Sequence, residues 1–391
     1  MPLSGMRVLD LGRFVAGPFC GVLLADMGAD VIKIEIPERG DEMRYHGVLV
    51  NGESAYFIMM NRNKKSLTLD LRSEDGKEIF QKLVRSADVV LENFRPDVMR
   101  KLGFHYDALR TLNPGIVYCG ISGFGKEGPY ALRPSFDFIA QGMSGLMSIT
   151  GFANGEPVRV GIPISDQVAA LYAAYGILAA LQARQRTGEG QEVQISLVDG
   201  IISLLSFQAD TYFGGGAAPE RAGNDHPITA PYGTFKALDG YINVAPAGDP
   251  MWERFARALG LAELIHDPRF LTNDLRRENR QEINRMITAI TSKRTMADWI
   301  DYLNNAGVPC GPIYALDQTF ADPQVQHQEM LLQIEQPSGK VKTLGFPLKL
   351  SKTPAALHRP APQLGQHSTE ILRGLGYSAA DVDAFRAKGV I

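Results

Sequence analysis

Short β-branched runs alternate with helix-period segments over the first 120 residues, the pattern of a parallel sheet with crossover helices. RVLDL from Arg7, GPFCGVLLADMG from Gly17 and ADVIKIE from Ala29 make a complete βαβ unit within the first 36 residues. SLTLDL leads into SEDGKEIFQKLVRSA, a helix that Ser73 or Asp75 can cap, with Glu78 at capping-box spacing from Asp75. DVVLENF and GIVYCGIS are further buried-strand candidates. A long alanine-rich stretch then predicts a helix from Ser165 as N-cap to about Arg186, stopped by Thr187-Gly188. QEVQISLVDGIISLLSFQADTYF reads as one more strand and a helix, before the Gly/Pro-rich GGGAAPERAGNDHP marks a boundary. Beyond it, strands GTFKA and YINVAPAG and helices MWERFARALG and QEINRMITAITSK predict a second, α+β domain. VKTLGFPLKLS is strand-like and STEILRGLG is a helix candidate. The fold class is therefore α/β, a Rossmann-like large domain with a parallel sheet plus a smaller α+β domain. The expected boundaries are 1–200, a linker at 201–227, the small domain at 228–318, and a C-terminal segment at 319–391.

A chain of 391 residues exceeds what one core usually supports, which agrees with two domains. Composition changes the picture mainly by exclusion. With 45% hydrophobic and 21% charged residues and a net charge of −3, there is no footprint for a polyanion, so nucleic acid is not an expected partner. No basic leader with an apolar run is visible and no stretch of about 18 residues is uninterruptedly apolar, so a cytoplasmic protein without a membrane partner is expected. Cys20, Cys119 and Cys310 are scattered and odd in number, as reduced thiols would be. The seven histidines form no pair at metal-ligand spacing, and no metal is expected.

Two features carry chemistry. GFGKEG at 123–128 matches a dinucleotide fingerprint in form, but Pro129 and Pro134 follow where a helix should open. The first βα turn, GRFVAGP, has one glycine before its helix, so a nicotinamide-dependent dehydrogenase is a remote alternative. The second feature is Asp166, in the first turn of the long helix. Unpaired N–H groups and the positive dipole end favour a negative side chain there, predicting an ionised carboxylate with a lowered pKa, as a nucleophile requires. Asp in a first turn also serves as a plain capping or dipole residue.

MRVLDLGRFVAGPFCGVLLADMGADVIKIE, MNRNKKSLTLDL, VVLENFRPDVMRKLGF, LNPGIVYCGISGFGKEGPY, FDFIAQGMSGLMSITG, the Asp166 helix and NNAGVPCGPIYALDQTFADPQVQHQEML follow one another along nearly the whole chain. In that order they resemble the family III CoA-transferases, the formyl-CoA and carnitine CoA-transferase type of the CaiB/BaiF family. The resemblance implies an acyl-CoA:carboxylate CoA-transferase acting through an anhydride and an aspartyl-CoA thioester on Asp166. The donor and acceptor, an acyl-CoA and a small acid such as a dicarboxylate, are its expected partners. No tightly bound cofactor is expected; coenzyme A is substrate. Residues 1–200 become the CoA-binding domain, with 319–391 returning to it, and an interlocked homodimer is implied. The implied CoA contacts are Phe14, Val15, Ala16, Leu69, Asp70, Leu71, Arg72, Asn93, Phe94, Arg95 and Phe136, together with Lys101 where several members have arginine. Val15 stands where the formyl-CoA enzyme has glutamine, and no glycine-run loop matches near 245–250 beyond PAGDP, so the oxyanion donors are sought around Val15 or Gly248. Asp137 lies in the FD motif as a wall residue, or as a structural carboxylate paired with a backbone N–H or with Arg133. Candidate clamps for the acceptor carboxylate are Arg44, Arg159, Arg221 and His226. The alternative reaction is that of an α-methylacyl-CoA racemase, which needs a second base where this chain has Phe136.

Overall fold

The computed structural model describes residues 1–391, which form two compact units. The first comprises Met1–Leu146, Arg159–Asp210 and Pro323–Ile391; the second comprises Met147–Val158 and Thr211–Asp322. Residues 201–227, expected as a linker, contain the end of one helix, Leu197–Ile202, and the whole of another, Ser206–Gly215. The short excursion 147–158 also belongs to the second unit.

Six parallel strands organise the first unit: β1 (Arg7–Asp10), β2 (Asp30–Glu35), β3 (Lys65–Thr68), β4 (Val89–Glu92), β5 (Val117–Ser122) and β6 (Glu192–Ser196). Their order is β3-β2-β1-β4-β5-β6, which reverses direction at β1/β4, the Rossmann-like arrangement with its switch point between those strands. Strands β1, β2, β4 and β5 are buried along nearly their whole length because helices cover both faces, whereas the edge strand β6 is largely half-buried. On one face lies α1 (Ala16–Asp26), followed in the chain by α2 (Ala55–Asn61). On the other face α3 (Glu74–Arg85) buries Ile79, Phe80, Leu83 and Val84 at helical spacing, each contributing about 1.5–3 kcal/mol relative to exposure. Ser73 is its cap, accepting from Gly76 N–H at 3.0 Å.

Two further helices matter for the site, α4 (Asp137–Met143) and α5 (Ile164–Thr187). Ala169, Ala170, Ala173 and Ala174 of α5 are buried together with Cys20 and Leu24 of α1, small side chains allowing close approach. The length and hydropathy of α5 would suit a bilayer span, but this buried stripe makes it a core helix. It ends at Gly188 in the left-handed region, as the sequence predicts. Its beginning differs: Pro163 is the N-cap and Ser165 lies within the first turn.

The C-terminal part of the first unit adds the hairpin Leu331–Gln336/Gly339–Leu344 and two helices whose Ile371, Leu372 and Val382 join the α3 side of the core. The second unit is an antiparallel three-stranded sheet, with Tyr241–Val244 between Gly233–Lys236 and Cys310–Pro312. Helices Asp249–Ala258, Arg280–Thr291 and Met296–Asn305 fill its core with Trp252, Phe255, Ile287 and Trp299.

Candidate active site

The turn from β1 into α1 is held by buried charges. Asp10 accepts Gly12 N–H at 2.8 Å through one oxygen and Lys64 Nζ at 2.7 Å through the other. Lys33 Nζ donates to the Gly12 carbonyl and to Asp41, both at 2.8 Å. Burial opposes charge on Lys33, yet Asp41, Asp10 and Glu35 outweigh it and raise its pKa. Gly17 permits the turn to close, since a Cβ there would lie 2.7 Å from the Gly12 Cα. Phe14 is forced to φ +60°, a left-handed conformation costing an ordinary residue about 1–2 kcal/mol, and its N–H donates to Asp41 at 3.3 Å. The result is a helix start at which the N–H groups of Val15, Ala16 and Gly17 have no partner within the chain.

Asn93, just beyond β4, ties this turn to the next strand end: Arg13 N–H donates to its carbonyl oxygen at 2.8 Å, and its amide donates to the Arg13 carbonyl at 2.9 Å. Glu92 accepts from Phe94 N–H at 2.7 Å and from the Tyr118 hydroxyl at 3.0 Å; burial pushes its pKa up to about 7.

Asp166 opens into a cleft of ≈ 400 Å³ at the C-terminal edge of the sheet, lined also by Phe14, Val15, Ala16, Asn93, Phe94, Arg95 and Phe136. Leu69, Asp70, Leu71 and Arg72 line a second cleft of ≈ 290 Å³ that shares Arg13, Phe94 and Val98 with the first. Lys101 alone of the implied contacts lies outside both, exposed and paired with Asp97 one helical turn away.

The expectation of a lowered Asp166 pKa is overturned. Burial, followed by the charge of Asp137, raises it to about 7, outweighing the helix-terminus effect that would hold it ionised. Asp137 is not paired with Arg133. It accepts from Ser165 N–H at 2.8 Å, Ser165 hydroxyl at 2.6 Å and Gln141 at 2.7 Å. Arg133 instead stacks on the Tyr130 ring, 3.6 Å from its centroid, and has no carboxylate partner. Arg13, also on the cleft, is paired with Glu42 at 3.0 Å.

The proposed clamps are placed otherwise. Arg44 is spent on a bidentate pair with Glu35 at 2.8 and 2.7 Å, and exposed Arg159 donates to the Val160 carbonyl. Arg221 and His226 belong to the second unit, where Arg221 donates to the Ser148 and Gly155 carbonyls. Gly248 is there too, as the N-cap of Asp249–Ala258. Sequence reading missed Tyr56 on α2, whose hydroxyl pKa is raised by burial and then by the charges of Asp166 and Asp137. Nothing around this tyrosine in ESAYFIMMN distinguishes it from a core residue. GFGKEG is a loop after β5 whose Lys126 pairs with Glu192 at 2.7 Å; the next helix starts only at Asp137.

The model of CoA-transferase family III matches residues 3–368. Over 382 residues the chain is 40% identical to the succinate–glutarate CoA-transferase of Agrobacterium fabrum, covering 96% of each protein. It is 39% identical over 372 residues to the acetyl-CoA:oxalate CoA-transferase of Acetobacter aceti, covering 95% of each. A CaiB/BaiF family protein from Brucella suis superposes with a TM-score of 0.85 at 40% identity, covering 96% of this chain and 99% of that one. A family pattern of this extent, on a sheet whose ligand edge carries the helix-borne carboxylate, means that the chain belongs to CoA-transferase family III and is a CoA-transferase.

Proposed function

We propose that the protein moves CoA from an acyl-CoA donor to a dicarboxylic acid through covalent intermediates on Asp166. One observation supports this above the rest: Asp166 shares a cleft with the α1 terminus, where Val15 and Ala16 offer unpartnered N–H groups. Carboxylate nucleophile and oxyanion donors thus line one cavity. In its ionised form Asp166 attacks the thioester carbonyl, the C–S bond breaks, and CoA thiolate leaves a mixed anhydride. The thiolate attacks the aspartyl carbonyl, expelling the donor acid and forming an aspartyl-CoA thioester. The acceptor carboxylate attacks that carbonyl and releases the thiolate, which attacks the acceptor carbonyl of the new anhydride and frees Asp166. No proton is consumed, and excluding water preserves the thioester energy. The second cleft, with Arg72 at its rim, suits the nucleotide end of CoA.

The dicarboxylate reading draws on relatives named for succinate, glutarate and oxalate. Arg133, free of carboxylates on the cleft wall, is the cation suited to the remote carboxylate of such an acid. A racemase is disfavoured because Phe136 has no proton to move; it packs edge-on against Phe14, with ring centroids 5.8 Å apart. The protein is further proposed to work as an interlocked homodimer in the cytoplasm, with no nucleic acid or membrane partner and no tightly bound cofactor.

A panel of CoA thioesters and free acids, read by mass, tests the reading. CoA should pass to dicarboxylates in the wild type and fall by several orders of magnitude in Asp166→Asn. Arg133→Ala should raise the KM for dicarboxylate acceptors about 10–100-fold, the loss of one charge-assisted hydrogen bond. Rapid α-deuterium incorporation into a 2-methylacyl-CoA in deuterium oxide, without an acceptor acid, would replace this reading with the racemase.

A further inference from the structure

The helix that carries Asp166 lacks a cap of its own. Its N-cap is Pro163, and none of its side chains accepts from its first N–H groups. The acceptor comes from α4 instead: Asp137 takes the Ser165 N–H at 2.8 Å and the Ser165 hydroxyl at 2.6 Å on the same oxygen. Its other oxygen takes Gln141 Nε2 at 2.7 Å. The Ser165 hydroxyl also lies 3.1 Å from the Asp137 carbonyl, a second anchor on the same residue. Gln141 is fully buried, and its carbonyl oxygen holds Val160 N–H at 2.9 Å. The segment 160–165 leading into Asp166 is thereby fixed to α4 near both of its ends.

We propose that Asp137 is a positioning residue that caps the nucleophile's helix from outside and fixes the direction in which the Asp166 carboxylate enters the cleft. This rests on the reading of Asp166 as nucleophile. Ser165 is the residue immediately before Asp166, so loosening its N–H and hydroxyl swings the attacking oxygens directly. A displacement of about 1 Å at a reacting group costs on the order of 100-fold in rate. Asp137 cannot perform this task without also placing a negative charge near Asp166. Tyr56 from α2 is near enough for the charges of both carboxylates to raise its pKa, and the cations on the cleft wall are Arg13, already paired with Glu42, Arg95 and Arg133. Cap and charge are separable by substitution: Asn keeps an acceptor oxygen for Ser165 and drops the charge, giving up the Gln141 bond because its amide nitrogen replaces the oxygen that accepts from Gln141 Nε2, whereas Ala drops all three.

The test compares Asp137→Asn, Asp137→Ala and Ser165→Ala in full-length protein, with circular dichroism confirming the fold. Asp137→Ala should lower kcat about 100-fold while leaving the KM for acyl-CoA within about threefold. Asp137→Asn should keep kcat within about tenfold of wild type and move the acidic limb of kcat/KM to lower pH. Ser165→Ala, which retains the N–H bond, should fall between wild type and Asp137→Ala. Wild-type kcat in Asp137→Ala overturns the proposal, as does an unmoved limb in Asp137→Asn. Should Asp137→Ala fail to fold, the Asn and Ser165 variants decide alone. Hydroxylamine trapping on wild-type enzyme keeps the two readings apart: an adduct on Asp166 with insensitive Asp137 variants removes only the positioning role, whereas no adduct removes the nucleophile itself.

Discussion

At Asp166 two effects of opposite sign meet, and their sizes decide the chemistry. A helix terminus favours a carboxylate by roughly 0.3–1 kcal/mol. Burial and the neighbouring Asp137 act the other way and move the pKa from 3.8 to about 7. In the proposed mechanism only the ionised form attacks, so kcat/KM should rise with pH through a limb near 7, measurable with any accepted acyl-CoA. The same group makes a stability prediction. A carboxylate whose folded pKa is raised costs nothing below its unfolded value, then destabilises progressively as pH climbs from 3.8 towards 7. The penalty above that window is on the order of 2–4 kcal/mol, allowing for the partial opening of the side chain to the cleft. Asp166→Asn carries no such penalty. In urea titrations its stability advantage over wild type should be larger at pH 8 than at pH 5, and an advantage that shrinks with pH would contradict the burial argument. The place of this residue in the first turn of a long helix was legible in the sequence, but its protonation was not. Position in a helix is visible from periodicity, whereas Asp137 reaches it only through the fold, from 29 positions away.

Among the elements, the strands and most helices were readable because their signals are local: β-branched runs, the Ser73 cap, Gly188 after α5. What the sequence hid is the wiring beneath the site. NRNKK, from Asn61, carries positive charge and sits before a ligand-edge loop, as a phosphate-binding run would, yet it is structural. Arg62 pairs with Asp26 at 2.7 Å, Asn63 holds the backbone of Ala356, His358 and Arg359, and Lys64 pairs with Asp10. The last pair is 0% exposed on both sides and joins residues 54 positions apart, a separation no local pattern encodes. Burial works to lower the pKa of Lys64, and Asp10 opposes it. Replacing one member leaves the other charge buried without its partner, which costs about 3–5 kcal/mol. Lys64→Met should therefore lower urea stability by that amount and release the Gly12 turn, since Asp10 also holds the Gly12 N–H. A loss below about 1 kcal/mol, the level of an exposed ion pair, would mean that the turn does not depend on this network.

At the scale of the whole molecule, the division into units was partly legible. The Gly/Pro-rich stretch after Phe213 marked a change of composition, but the twelve-residue excursion 147–158 is too short to shift composition and went unseen. Assembly is the remaining question, and the first unit bears on it directly. Its core helix α5 turns one face of alanines inward, yet on the other face Leu171 is 53% exposed and Tyr175 71%, with Leu178 beside them. On α4, which packs against α5, Phe138 and Ile139 are exposed as well. Isolated apolar side chains on a surface need no explanation, but an apolar face running along two neighbouring helices is what a monomer avoids and an obligate subunit contact supplies. A second copy of the chain is the expected cover, and interlocked chains would hold it against dilution. Sedimentation at nanomolar concentration should give twice the chain mass of 42.8 kDa. Tyr175→Asp, placing an unpaired charge in that contact, should yield monomer or aggregate while Asp166 and the α1 terminus remain intact in sequence. A stable, folded wild-type monomer at the same concentration would leave this apolar face without its partner and remove the interlocked assembly.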